Sequence, residues 1–328
     1  MVGLDPTIHA VRHESAGVAC ERPPPDLPTP RPPMTDVENA RLALDAIGTL
    51  PDVEIDIAEA ALHFARIDAP GIAPDHAPPE ADLQHARTHL STLARDAVAM
   101  ARELPSNDVA ARAGALAALL ARHRYQGDTE HYDDPANANL IHVIARRRGL
   151  PVALGILWLH CARAMGWPAH GLDFPAHFLL ALEGETTNIK PKTAPNQAVL
   201  DVFAGGIPLD AKDLRSLLQR MQGPTAELRP GVLAPMSARA VLLRLQENIR
   251  ARRLRADDFE GTLAATLDML RIAPDHAKLW REAAQLHHRL DHVTAAIRCY
   301  TRLLDLVPEG DSAQTTRQAM DHLRSRLN

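Results

Sequence analysis

His177 and Asp201 are the residues of this 328-residue chain best suited to chemistry. His177 lies in FPAHFLLAL and Asp201 in VLDVFAGG, two apolar runs that read as strands. On adjacent antiparallel strands such residues become cross-strand neighbours. A histidine oriented by a carboxylate can take a proton from a nucleophile and return it to a leaving group. Acyl transfer through a covalent intermediate then needs one more part, a thiol at a helix N-terminus, where the dipole favours thiolate.

Three cysteines are available: Cys20, Cys161 and Cys299. Cys20 falls in a Pro-rich N-terminal stretch. Cys161 sits inside an apolar helix, and Cys299 stands beside Tyr300 in a C-terminal helix; both read as packing thiols. The three form no CxxC pair and no even framework, which fits a reducing cytoplasm and argues against a Cys-based zinc site. His9, His13, His63, His76, His85 and His89 show no ligand spacing. No metal and no other cofactor is expected.

The elements that must position this chemistry follow from pattern and breakers. Residues 1–35 contain PPP and LPTPRPP with little apolar periodicity, so they read as a disordered tail, with Met34 a candidate start. From 36 to 124 apolar residues recur at three and four, predicting several helices, one of them capped by Asp108. Residues 125–150 signal a turn-rich loop and a short helix ending at Gly149. Pro151 opens the helix PVALGILWLHCARAMG at a position that tolerates proline, and Gly166 closes it. HGLDFPAHFLLALEG and AVLDVFAGG follow as strands, joined by the polar loop ETTNIKPKTAPNQ, before IPLDAKDLRSLLQRM returns to helix. This predicts an α+β core over 125–222 with a small antiparallel sheet, a linker over 223–235, and a helical array over 236–328. There, Pro274 and Pro308 lie 34 residues apart, the tetratricopeptide period, with Trp280, Ala296 and Tyr300 at the motif's large, small and aromatic places.

Composition narrows the function. The formal net charge is −5, with acids and bases interspersed, so no broad nucleic-acid footprint is expected. The basic segment RLQENIRARRLR, Arg244–Arg255, reads either as a solvated helix face or as a contact for nucleic acid. The longest apolar run falls well short of the roughly 20 residues that span a bilayer, and no signal peptide is seen. A cytoplasmic protein is expected.

The run DDPANANLIHVIARRRGLPVALGILWLHCARAMGWPAHGLDFPAHFLLAL, resuming at LDVFAGG, resembles the transglutaminase-like core of the bacterial SirB family. The resemblance implies a papain-type, Cys-protease-like α+β fold followed by tetratricopeptide repeats, with 36–235 as the core domain and its helical N-terminal part at 36–124. It also implies a Cys-His-Asp triad of which His177 and Asp201 are the remnant. In active members a G-x-C motif starts the helix that ends R-x-x-G-x-P-A. Here that ending is Arg163, Gly166, Pro168 and Ala169, and counting back puts Pro151 at the nucleophile position. Such a replacement is typical of the SirB branch. Ala153 supplies no hydroxyl two residues on. Cys161 is about 15 Å along the same helix and about 1000° around it, so it points elsewhere.

By the same resemblance Asp134, Asn137, Arg148, Gly205 and Gly206 are candidate pocket-wall residues, whereas Asn139, Ile141 and His142 depart from the family's pattern. Three functions are compatible with these residues. One is a non-catalytic, regulatory scaffold binding a protein partner through its repeats. Another is a hydrolase or acyl transferase using His177 and Asp201 with an unrecognised nucleophile. The third is a nucleic-acid-associated regulator.

Overall fold

The structure, a computed structural model, describes residues 35–68, 82–104, 108–184, 197–229 and 231–326. Residues 1–34 of the expected tail and 185–196 of the expected polar loop therefore lie outside the described residues, while Thr35, expected in the tail, caps a helix and Gln197, expected in the loop, opens a strand. From Thr35 to Asn328 the chain forms one compact unit.

The helices start where short polar residues can satisfy the first free amides. Thr35 and Glu38 close a capping box on α1 (Asp36–Gly48). After α2 (Ile57–Asp68), Asp82 caps α3 (Leu83–Glu103) and Asp108 caps α4 (Val109–Arg122). Strand β1 (Gln126–Gly127) pairs in parallel with β2 (Arg148–Gly149). Between them, α5 (Leu140–Arg146) ends earlier than the expected Gly149. Arg147 takes a left-handed conformation at φ 61° and turns the chain into β2.

Helix α6 (Pro151–Ala164) is buried nearly end to end, and Pro151 occupies its first turn. It carries no amphipathic stripe because other elements cover it all round. The five-stranded sheet has the order β6-β5-β4-β3-β7. The segment expected as one strand is two, β3 (Ala169–Leu172) and β4 (Leu179–Glu183), paired antiparallel. Asp173 and Pro175 fall in the connection, where they favour a turn over continued extension. Strand β4 is apolar on both faces. Leu180 and Leu182 join the core around α6, while Leu179 and Ala181 join a second cluster under α7 (Ala211–Gln222). β5 (Gln197–Asp201) pairs with β4, and the short β6 (Ile207–Pro208) and β7 (Pro235–Met236) are the edges.

The C-terminal helices are α8 (Ala238–Arg255), α9 (Phe259–Ile272), α10 (Ala277–Arg289), α11 (Val293–Leu306) and α12 (Asp311–Ser325). Ala283, Ala296 and Tyr300 are buried together between α10 and α11, and Trp280 is half-buried with its Nε1 donating to the Pro274 carbonyl at 2.8 Å. The boundary expected at 235/236 falls just before α8. This helix buries Val241, Leu242, Leu245 and Ile249 in the α6 core, so it is shared between the two parts. Gln246 of α8 donates to buried Asp68 of α2 at 3.0 Å, and Arg41 of α1 binds buried Asp268 of α9 at 2.9 and 3.0 Å.

Candidate functional site

His177 lies not on a strand but in the bend just before β4, with its amide donating to the Phe174 carbonyl at 3.0 Å. The preceding Ala176 has φ 55°, a conformation that costs free energy in a residue with a Cβ. Asp201 is the last residue of β5, next to β4. His177 Nε2 and Asp201 Oδ1 are 3.1 Å apart. The same oxygen accepts from the amides of Phe203 at 3.0 Å and Ala204 at 3.2 Å. Burial works against ionisation of Asp201, but the bonds from the His177 ring and these two amides outweigh it and hold its carboxyl below the usual range. The Phe203 ring meets the imidazole edge-on at 6.4 Å and is itself met by Tyr132 at 5.9 Å.

Pro151 and His177 line one small cavity, about 20 Å³, together with Tyr132, Leu150, Val152, Ala176, Phe178, Arg244 and Asn248. That is room for about one water molecule. Arg244 and Asn248 project from α8, one helical turn apart on one face. The helix is anchored across the opening: Arg252 donates to the carbonyls of Tyr132 at 3.2 Å and Asp133 at 3.1 Å. No sequence pattern points to Arg244 and Asn248 as site residues. The available signal was the i, i+4 spacing within RLQENIRARRLR, which reads equally well as a solvated face.

None of the five candidate pocket-wall residues lines this cavity. Asp134 caps the 3₁₀ turn Pro135–Ala138 through the Ala136 amide at 2.8 Å and pairs with Arg146 at 2.9 Å. Asn137 is fully buried; its side chain donates to the His131 carbonyl at 2.7 Å, and its main-chain carbonyl accepts from Leu150 at 2.9 Å. Arg148 pairs with exposed Glu130 at 3.0 Å. Gly205 and Gly206 turn the chain after β5 at φ 79° and 84°. A Cβ on Gly206 would stand 2.1 Å from the Trp158 ring, so its role is close packing on α6. Asn137 and Asp134 thus hold the loop leading to Pro151.

Cys161 is fully buried, and burial pushes its thiol up to about 12. It does not line the Pro151 cavity. Cys299 is also buried, in the repeat core. Among the described residues no group of three or more His, Cys, Asp or Glu is placed to hold a metal ion, and no helix is long and apolar enough to cross a membrane. The basic segment is largely engaged within the molecule. Arg250 pairs with Glu247 at 2.7 Å and Glu282 at 2.9 Å, and Arg253 donates to the Gly261 carbonyl at 2.9 Å.

A helix N-terminus beside a His–Asp pair at the end of an antiparallel sheet, with helical hairpins behind, defines a transglutaminase-like core with a repeat module. Residues 84–247 match the family model for the transglutaminase-like superfamily, and residues 249–328 match that for the tetratricopeptide repeat. The chain belongs to the transglutaminase-like superfamily. The two matches meet inside α8, the helix that the two parts share. The chain is similar to a UPF0162 protein of Pseudomonas aeruginosa, 30% identical over 238 residues, which are 71% of this chain and 78% of that one. It is also similar to a UPF0162 protein of Xylella fastidiosa, 28% identical over 196 residues, 59% of this chain and 66% of that one. A human protein, F-box only protein 21, is 30% identical over 174 residues, 51% of this chain and 26% of its own length.

Proposed function

We propose that this chain is a non-catalytic transglutaminase-like scaffold of the SirB type, a regulatory protein of the reducing cytoplasm that binds a protein partner through its repeats. One observation carries the reading: the helix start beside His177 is Pro151, in a cavity of about 20 Å³ that Arg244 and Asn248 also line. Acyl transfer needs an attacking atom about 3–3.5 Å from the carbonyl. A pyrrolidine ring supplies none, and the cavity has no room for an acyl group beside the imidazole. The tetratricopeptide match supports the binding half of the reading, because such repeats mediate protein–protein contacts in general.

The test is amine incorporation and peptide hydrolysis, with and without iodoacetamide. No thiol-dependent turnover is expected; iodoacetamide-sensitive turnover that disappears in Cys161→Ala defeats the proposal. Pro151→Cys is expected to place a thiol below the free value of about 8.5, given the helix N-terminus and His177. It is not expected to turn over peptide substrates, because the cavity holds little more than one water. Turnover by this variant would mean that the cavity widens in solution.

A second reading rests on the intact His177–Asp201 contact and on the room for one water beside it. In that reading the pair activates this water for a weak hydrolysis, worth only the general-base factor of about 10²–10⁴. Hydrolysis abolished in His177→Ala but insensitive to iodoacetamide would favour it.

A further inference from the structure

The repeat module holds two cavities that adjoin. One, about 540 Å³, is lined by α8, α9 and α10, with Leu254, Phe259 and Leu286 as its apolar surface. The other, about 230 Å³, lies between α10, α11 and α12, against Tyr300 and Ala319. Gln285 lines both, so they form one groove along α10.

The charges along this groove are unbalanced. Arg250, Arg281 and Arg289 line it, and Glu282 is the one acid among the lining residues. Glu282 already has partners: Arg250 at 2.9 Å and Lys278 at 3.8 Å. Arg250 is bound to Glu247 as well. Arg281 and Arg289 differ. Among the described residues neither is within ion-pair distance of a carboxylate. Arg281 donates only to the Ser312 hydroxyl, and Arg289 lies exposed over the Phe259 ring, 3.7 Å from its centre.

We infer that this groove takes an acidic peptide segment of a protein partner, with an apolar side chain seated in the larger cavity and carboxylates on Arg289 and Arg281 to either side of Gln285. The inference rests on the scaffold reading and specifies its partner. A basic segment would meet two uncompensated guanidinium groups, and a purely apolar one would leave both without counter-charge. The planar guanidinium forks suit carboxylates in a way that a lysine would not.

The experiment selects random displayed peptides on the full-length protein. The best one is then synthesised, and its affinity is measured by fluorescence anisotropy for wild type, for Arg281→Glu with Arg289→Glu, and for the corresponding pair of Gln variants. The selected peptides are expected to pair Asp or Glu with Leu, Phe or Met. Charge reversal is expected to weaken binding about tenfold or more, the Gln pair by less, and added salt to weaken the wild-type complex. Circular dichroism checks that both variants fold. Selected peptides without acidic enrichment, or an affinity within about twofold after charge reversal, would overturn the acidic-segment inference and leave the scaffold reading standing. No peptide enriched over the bare matrix would count against both.

Discussion

Helix α8 borders both the Pro151 cavity and the repeat groove, and the two differ in how their polar groups are satisfied. At the cavity, Asp201 holds His177 and accepts two backbone amides, Arg252 ties α8 to the loop before the site, and the remaining space fits one water. At the groove, two guanidinium groups lack carboxylates among the described residues, and the space is more than ten times larger. A small, satisfied site leaves little room for ligand, whereas a large one with uncompensated charge is complementary to something outside it. The proposed function makes no use of the His177–Asp201 contact, whereas the two arginines lie where a partner is proposed to dock.

The largest effect that would test this contrast is a loss of stability at the closed end. Gly206→Val drives a Cβ into Trp158 at a positive φ, and roughly 3 kcal/mol or more of stability is expected to be lost in a denaturant titration. A variant as stable as wild type would show that the packing behind Asp201 is looser than the distances imply. Next comes Asp201→Ala, which strands His177 and the amides of Phe203 and Ala204; about 2–3 kcal/mol is expected. The folded carboxyl titrates below its unfolded value of about 3.9. Its stabilisation is therefore complete at neutral pH and is lost as pH falls below about 4. Between pH 7 and pH 3 the gap between wild type and Asp201→Ala should narrow.

Asp68, where α2 meets α8, behaves in the opposite sense. Burial pushes it up to about 6, although Gln246 and Arg253 partly counter this. Its contribution is most favourable below pH 4 and fades as pH rises through 6. Asp68→Asn is expected to gain up to about 2 kcal/mol at pH 7–8 and nothing at pH 4, read as thermal midpoints at the two pH values. An equal change at both pH values would place the carboxylate in a wetter setting than its full burial suggests. The smallest effect is expected at the open end. Arg281→Glu with Arg289→Glu should shift stability by no more than about 0.5 kcal/mol, since neither guanidinium holds a carboxylate among the described residues. A loss of several kcal/mol would make the groove a structural element instead.

Much of this was legible in the sequence because it depended on local chemistry. Asp108 caps the helix that the sequence assigns to it, through its own side chain. Pro151 has to fall in a first helical turn, where its missing amide costs nothing. That it also stands where the family's nucleophile belongs came from the family resemblance. The LLAL of β4 is apolar on both faces because helices cover both sides of the sheet. The end of α5 and the bend carrying His177 were not legible. Arg147 and Ala176 adopt positive φ without being glycine, and the surrounding structure compels them to.

The sequence by itself determined which groups exist: a histidine and an aspartate spaced to meet, no thiol at the helix start, and a 34-residue repeat period. Only the tertiary structure decided which of them meet and what lies over them. Arg244 to Arg255 is the clearest case, since the same basic residues could face solvent, nucleic acid or the protein itself. Packing of Leu245 and Ile249 into the α6 core fixes the rotation of α8. That rotation turns Arg244 and Asn248 to the Pro151 cavity and Arg250 and Leu254 to the groove. A helix's sequence sets its stripes, but which stripe faces which neighbour follows from where its apolar side chains are buried.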